Sequence, residues 1–97
     1  MSATDLINSG RVVIFSWVSC PFCRRAKALL QPMVPPEQYK VYELDQMPYG
    51  DAIHDEIIKQ FDHDTVPAVF INGKFIGGFS ETDALNKSGE LQKLLTA

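Results

Sequence analysis

The strongest constraint in this chain lies near its start. An apolar, β-branched run, Val12 to Phe15, is followed within a few residues by Cys20-Pro21-Phe22-Cys23. The run reads as a buried strand. Pro21 suits the first turn of a helix, where its missing N–H costs nothing. Ala26, Leu29, Leu30 and Met33 continue at helical spacing, and Pro32, Pro35 and Pro36 end the helix. A strand feeding a helix through a turn with two thiols puts Cys20 at the helix N-terminus. Free N–H groups and the macrodipole there favour a thiolate, and such placement lowers a cysteine pKa to ~3.5–7.5 from ~8.5. Arg24, Arg25 and Lys27 add positive charge in the first two turns. Cys23 lies one turn deeper. It is placed to attack a mixed disulfide at Cys20 but not to start one.

The rest of the chain builds outward from that unit. Asp5 to Ser9 reads as the end of a short helix stopped by Gly10. Tyr39 to Leu44 alternates like a strand. Gly50 and Asp51 open a second helix with Ile53, Ile57, Ile58 and Phe61 facing inward. Ala68 to Ile71 is a third strand. Asn72-Gly73 is a hairpin signal, since both central positions of a type I′ turn need positive φ. Lys74 to Ile76 is then the fourth strand, broken by Gly77-Gly78. Ser80 with Asp83 resembles a capping box that starts one last helix running through Leu95. The first two strands, joined by a helix, should be parallel, and the hairpin makes the sheet mixed. The expected class is α/β, a thioredoxin-like four-stranded mixed sheet flanked by helices on both faces.

Composition narrows the function. The 97 residues suit a single domain over 1–97, and a net charge of −3 argues against nucleic acid as a partner. No stretch approaches the ~18–20 apolar residues of a membrane span. Met1 to Arg11 lacks a basic segment followed by a long apolar run, so a cytoplasmic, reducing setting and a monomer are expected. There, two cysteines are redox-active or metal-binding rather than a structural staple. A closed zinc site needs four ligands. This chain has no third cysteine, and its histidines, His54 and His63, are remote in sequence from the pair. No resident metal or tightly bound cofactor is expected. A CxxC pair beside a βαβ pattern reads as a redox motif. Thr65-Val66-Pro67 immediately precedes the third strand. The residues leave open whether Pro67 is a trans strand opener or a cis proline that turns the Val66 backbone towards a peptide-like substrate.

Together these residues resemble the dithiol glutaredoxins. The likeness runs from Val12 to Leu95. It rests on Phe15-Ser16 before Cys20-Pro21-Phe22-Cys23, on Thr65-Val66-Pro67, on Phe70-Ile71-Asn72-Gly73, on Ile76-Gly77-Gly78 before Ser80, and on Leu85 to Leu91 with Ser88-Gly89. The Trp-Cys-Gly-Pro-Cys of thioredoxins is absent. The resemblance implies a thiol–disulfide oxidoreductase acting on protein disulfides and glutathione mixed disulfides, with glutathione or a related small thiol as co-substrate. Cys20 would be the nucleophile and Cys23 the resolving thiol, with Pro21 and Phe22 between them. The implied groove comprises Thr65, the Val66 backbone, a cis Pro67, Gly78, Phe79, Ser80 and Glu81, the last replacing the usual Asp.

Three departures bear on the small thiol. Many glutaredoxins carry Lys where this chain has Trp17, Arg or Gln where it has Asp64, and Gln where it has His54. Those positions usually face the glycine carboxylate of glutathione. A carboxylate beside Asp64 is repelled by on the order of 1 kcal/mol when solvated, and Trp17 can stack on an ammonium. These departures raise the hypothesis, beside plain glutathione, of a glutathione derivative with its glycine carboxylate blocked, such as the bis(glutathionyl)spermidine conjugate trypanothione. The alternatives are plain glutathione with neutral surface variation, a [2Fe–2S] carrier bridged by Cys20 and an external thiol (Pro21 counts against it), and a redox-sensing adaptor. Asp62-His63-Asp64 reads as a solvated turn rather than a metal cluster, and Phe22 as a rim aromatic near Cys20.

Overall fold

The computed structural model describes residues 2–96. Its order is α1 (Ala3–Ile7), β1 (Val12–Ser16), α2 (Pro21–Leu30), β2 (Tyr39–Glu43), α3 (Gly50–Phe61), β3 (Ala68–Ile71), β4 (Lys74–Gly77), α4 (Phe79–Ser88) and α5 (Glu90–Thr96). Single 3₁₀ turns stand at Gln31–Met33, Pro36–Gln38 and Leu44–Gln46. The sheet order is β2-β1-β3-β4. β1 and β2 pair in parallel, with Ile14 opposite Val41, while β3 runs antiparallel to β1 and β4 antiparallel to β3. The mixed four-stranded sheet expected from the sequence is the one observed.

The central strand shows why it is apolar throughout. Every residue of β1 is buried, and alternate side chains serve opposite cores. Val13 and Phe15 join Leu6, Ile7, Ile53, Ile57 and Phe70 under α1 and α3. Val12 and Ile14 join Ala26, Leu30, Val69, Ile71, Leu91 and Leu95 under α2 and α5. Helices thus cover both faces, as a sheet with no solvated side requires. The first core is aromatic at its centre. Phe70 meets Phe15, Phe61 and Phe75 with centroids 5.1–5.7 Å apart. The hairpin turn follows its sequence signal, with φ of +53° at Asn72 and +78° at Gly73.

Four details differ from the expectations. The first helix, Ala3–Ile7, opens on a reciprocal capping box of Ser2 and Asp5 and ends before Ser9, with Asn8 as its C-cap. β2 ends at Glu43, and Leu44 turns into the core. α2 stops at Leu30 and continues only as a 3₁₀ turn through Pro32, whose missing N–H cannot extend the helix. The C-terminal helix is two helices, separated by Gly89 at φ +85°. Its start is also not capped by Ser80 and Asp83. Gly78 is the N-cap, its N–H donates to Glu81 Oε1 at 2.7 Å, and its carbonyl accepts from Thr82 Oγ1 at 2.8 Å. Ser80 falls inside the first turn, where its hydroxyl is not in the N-cap position.

Candidate active site

The C-terminal end of β1 hands the chain to a loop, Trp17 to Ser19, that delivers Cys20 to the N-cap of α2. Its conformation is set by hydrogen bonds. Val18 N–H donates to both carboxylate oxygens of Asp45, at 3.2 and 3.3 Å. Cys20 N–H donates to the Trp17 carbonyl at 3.3 Å, and the buried Ser16 hydroxyl donates to the same carbonyl at 3.1 Å. Cys20 is extended (φ −104°, ψ 115°), and its Sγ accepts the Cys23 N–H at 3.2 Å. A sulfur in the position where capping oxygens normally sit satisfies an orphan helix donor. That interaction strengthens as the sulfur gains negative charge.

The two thiols, both free, sit in different surroundings. Cys20 is half-buried, and its S–H points to the Val66 carbonyl at 3.7 Å. Cys23 is fully buried. Burial, followed by the hydrogen bond with Cys20, pushes the Cys23 thiol up to about 11. Pro21 occupies the first helical position and is exposed.

Beside Cys20 opens a groove of about 410 Å³, lined by Phe22, His63, Thr65, Val66, Pro67, Gly78, Phe79, Ser80 and Glu81. The Val66–Pro67 peptide is cis. Gly77, at φ +128°, carries the chain from β4 into the Gly78 cap of α4. A side chain at Gly77 would meet the Glu81 side chain within 3 Å, so glycine is needed for both conformation and room. The Phe22 and Phe79 rings face each other at 6.3 Å across the mouth. Phe22 is 54% exposed and carries the Arg25 guanidinium on its face, 5.4 Å from the centroid.

Eight of the expected site residues therefore converge on one groove, with Cys20 hydrogen-bonded to its Val66 wall. Trp17, Pro21, His54 and Asp64 are not part of its lining. Trp17 and His54 form their own pair, edge to face at 6.0 Å, with Trp17 42% exposed and His54 Nε2 enclosed without a hydrogen-bond partner among the described residues. Asp64 is exposed. The basic run is partly diverted. Lys27 turns to the sheet edge and pairs with Glu43 at 2.7 Å, so its charge is neutralised there.

Two residues were missed from the sequence. One is His63, which lies in the groove instead of a solvated turn. Its Nε2 stands 3.1 Å from the Pro67 carbonyl, and its ring packs against Phe75 at 5.1 Å. The signal lay in Asp62, the left-handed C-cap (φ +53°) that turns the chain back after α3; Asp tolerates that conformation better than most residues. The other is Asp45, whose place beside Val18 follows only from the parallel β1–β2 register.

A family model for glutaredoxin matches residues 12–76. The chain is 43% identical over 91 residues to mitochondrial glutaredoxin-2 of Homo sapiens, a match covering 94% of this chain and 54% of that protein. It spans just over half the length of that relative. Among solved structures, it superposes on a dithiolic glutaredoxin of Trypanosoma brucei brucei with a TM-score of 0.90 at 44% identity, covering 98% of this chain and 96% of that one. It superposes on a buckwheat glutaredoxin–glutathione complex with a TM-score of 0.89 at 38% identity, covering 97% and 84%. Among the described residues no helix is long and apolar enough to cross a membrane.

Proposed function

The chain belongs to the glutaredoxin family, and from that premise we propose that it is a dithiol thiol–disulfide oxidoreductase working on protein disulfides and glutathione mixed disulfides. The observation that carries this reading is the asymmetry of the two thiols. Cys20 is reachable and held by a helix-terminal N–H, while Cys23 is buried behind it and pushed up to about 11.

In the proposed reaction the Cys20 thiolate attacks the glutathione sulfur of a protein–glutathione disulfide. The Cys20–glutathione bond forms, the old disulfide breaks, and the protein sulfur leaves as a thiolate that takes a proton from solvent. A second small thiol then attacks the glutathione sulfur, releasing Cys20 and glutathione disulfide. On protein disulfides, Cys23 loses its proton, attacks Cys20 and expels the substrate thiol, closing the Cys20–Cys23 disulfide. Two small thiols then reduce it. The Cys23 N–H donating to Cys20 Sγ stabilises the anion that leaves or attacks at each step.

The groove suits an extended tripeptide. The Val66 backbone borders one wall and the N-terminus of α4 closes the far end. Thr65, Val66 and Pro67 would hold the peptide backbone, and Gly78, Phe79, Ser80 and Glu81 the γ-glutamyl end, where helix N–H groups suit a carboxylate. The buckwheat relative solved with glutathione supports glutathione chemistry for this groove.

For the reductant we propose a glutathione derivative whose glycine carboxylate is blocked by an amine, as in trypanothione. Asp64 disfavours a free carboxylate, and the exposed face of Trp17, braced by His54, suits an ammonium. The test is the second-order rate of reduction of oxidised protein by glutathione and by such a dithiol. A clear excess for the blocked thiol is expected after correction for its two thiol groups. Equal rates would remove the preference while leaving the oxidoreductase reading intact.

A further inference from the structure

Ser16 is fully buried, a polar residue at the end of an otherwise apolar strand. Alternation along β1 puts it on the same face as Val12 and Ile14. Those two pack beneath α2, against Ala26 and Leu30. The buried residues of α2 are Cys23, Ala26 and Leu30, one stripe at helical spacing. Because β1 and β2 are parallel, α2 runs back over β1 between them. Leu30 therefore lies towards Val12 and Cys23 towards Ser16. There the two side chains meet. The Ser16 side chain and the Trp17 backbone both hydrogen-bond the Cys23 sulfur, in the sense that favours its anion.

A serine hydroxyl has one hydrogen to donate. In the reduced protein the Trp17 carbonyl, 3.1 Å away, receives it. That carbonyl also accepts the Cys20 N–H at 3.3 Å, so it keeps a partner when the hydroxyl turns away. Rotation about the Cβ–Oγ bond carries the hydrogen to Cys23 without moving a heavy atom. A thiol or a disulfide sulfur is a weak acceptor and a thiolate a strong one. The hydrogen therefore belongs on the carbonyl while Cys23 is neutral, and on sulfur only while that sulfur carries charge. The titratable group facing Cys23 is Cys20, which is tied up in a disulfide during the resolving step. Stabilising the charge then falls to neutral donors.

We propose that Ser16 is a further catalytic residue of the resolving step, its hydroxyl turning from the Trp17 carbonyl to donate to the Cys23 sulfur as that sulfur attacks Cys20, and again as it leaves. The assignment rests on the oxidoreductase reading of the dithiol. In closure, Cys23 gives its proton to hydroxide, its thiolate forms a bond to Cys20 Sγ, and the Cys20–glutathione bond breaks. Glutathione departs as a thiolate and is protonated by solvent. In opening, a glutathione thiolate attacks Cys20 Sγ, and Cys23 departs as the thiolate. Ser16 keeps its own proton throughout.

An interaction present only while charge is on sulfur acts on the rate and not on the end states. Removing it should slow closure and opening by the same factor and leave their ratio unchanged at pH 7, where Cys23 is a thiol before and after. A merely structural serine would not behave so. Loss of a loop support would slow the attack of Cys20 as well, and strain in the closed disulfide would shift the ratio.

The experiment uses Ser16→Ala, which removes the hydroxyl, and Ser16→Thr, which restores it. Reduced protein is mixed with saturating oxidised glutathione at pH 7 and quenched in acid. Mass separates formation of the Cys20–glutathione adduct from closure. Opening is followed by adding glutathione to the closed protein, and thermal unfolding is recorded for each variant. Should Ser16→Ala fail to fold, Ser16→Gly takes its place under the same criteria. For the hydroxyl-free variant we expect closure and opening each slower by on the order of threefold to tenfold, the loss of thiolate being partly offset by its greater nucleophilicity. Adduct formation should stay within about twofold of wild type, and a folded Ser16→Thr should recover most of the closure rate. Unchanged closure overturns the assignment. So does slowed closure with unslowed opening, an equal loss in adduct formation, or a folded Ser16→Thr no faster than Ser16→Ala. Wild-type protein that forms no adduct at all would refute the oxidoreductase reading itself, and the Ser16 assignment with it.

Discussion

The burial of Cys23 sets the speed of its own step and gives it a distinctive pH profile. Only the thiolate attacks, and a thiol pushed up to about 11 is ionised to roughly one part in 10⁴ at pH 7. A cysteine at the ordinary value of 9.0 would be ionised to roughly one part in 10². The hundredfold deficit is partly offset. A more basic thiolate is a better nucleophile, and a Brønsted slope of ~0.4–0.5 over two units returns about six- to tenfold. Closure of the Cys20–Cys23 disulfide should therefore run up to about tenfold slower at pH 7 than between thiols of ordinary basicity, the part of the shift that comes from the Cys20 thiol being lost once Cys20 is bonded to glutathione. Burial remains, so closure should keep accelerating, close to tenfold per pH unit, from pH 7 to beyond pH 9. The assay mixes reduced protein with saturating oxidised glutathione and quenches in acid, and the Cys20–glutathione adduct and the closed disulfide are separated by mass. A closure rate that levels off at or below pH 9 would refute the argument, because it would show that burial does not hold the proton on Cys23.

Other outcomes follow from the same geometry. Raising the pH should destabilise the reduced fold through Cys23. A folded pKa raised from 9.0 to about 11 gives stability that is complete below pH 9 and lost as pH climbs towards 11. Cys23→Ala should then lose up to about 3 kcal/mol less than wild type across that window in urea unfolding with a phosphine reductant present. Asp45→Ala frees the Val18 N–H and should cut kcat/KM severalfold on every disulfide, with Asp45→Asn recovering most of it because an acceptor oxygen remains. Leu30→Ala opens a cavity in the core beneath α2 and should cost about 2–5 kcal/mol in urea unfolding.

The central features were legible because each is written locally. β1 announces itself as an apolar β-branched run, the dithiol lies in four consecutive residues, and Asn72-Gly73 carries its turn in its own side chains. Cys23's burial also follows from helical spacing once Cys20 is placed at the cap. What stayed hidden depends on parts of the chain that meet only after folding. His63 looked like one residue in a charged turn. Only the left-handed Asp62 and the packing of Phe75 swing it into the groove. Lys27 looked like charge for the dithiol, but the β1–β2 register offers it Glu43 first. The start of α4 was misplaced because Ser80 and Asp83 fit a capping pattern. The chain instead caps through Gly78, whose backbone fits where the strand ends, with Glu81 reaching back to its N–H.

The inequality of Cys20 and Cys23 is the claim on which the account stands, and one set of turnover rates tests it. Multiple-turnover reduction of a glutathione mixed disulfide should be abolished by Cys20→Ser and largely kept by Cys23→Ser, while the same Cys23→Ser protein loses most of its activity on an intramolecular protein disulfide. Residual turnover in Cys20→Ser near the wild-type rate, or equal loss in both variants on the glutathione mixed disulfide, would contradict it.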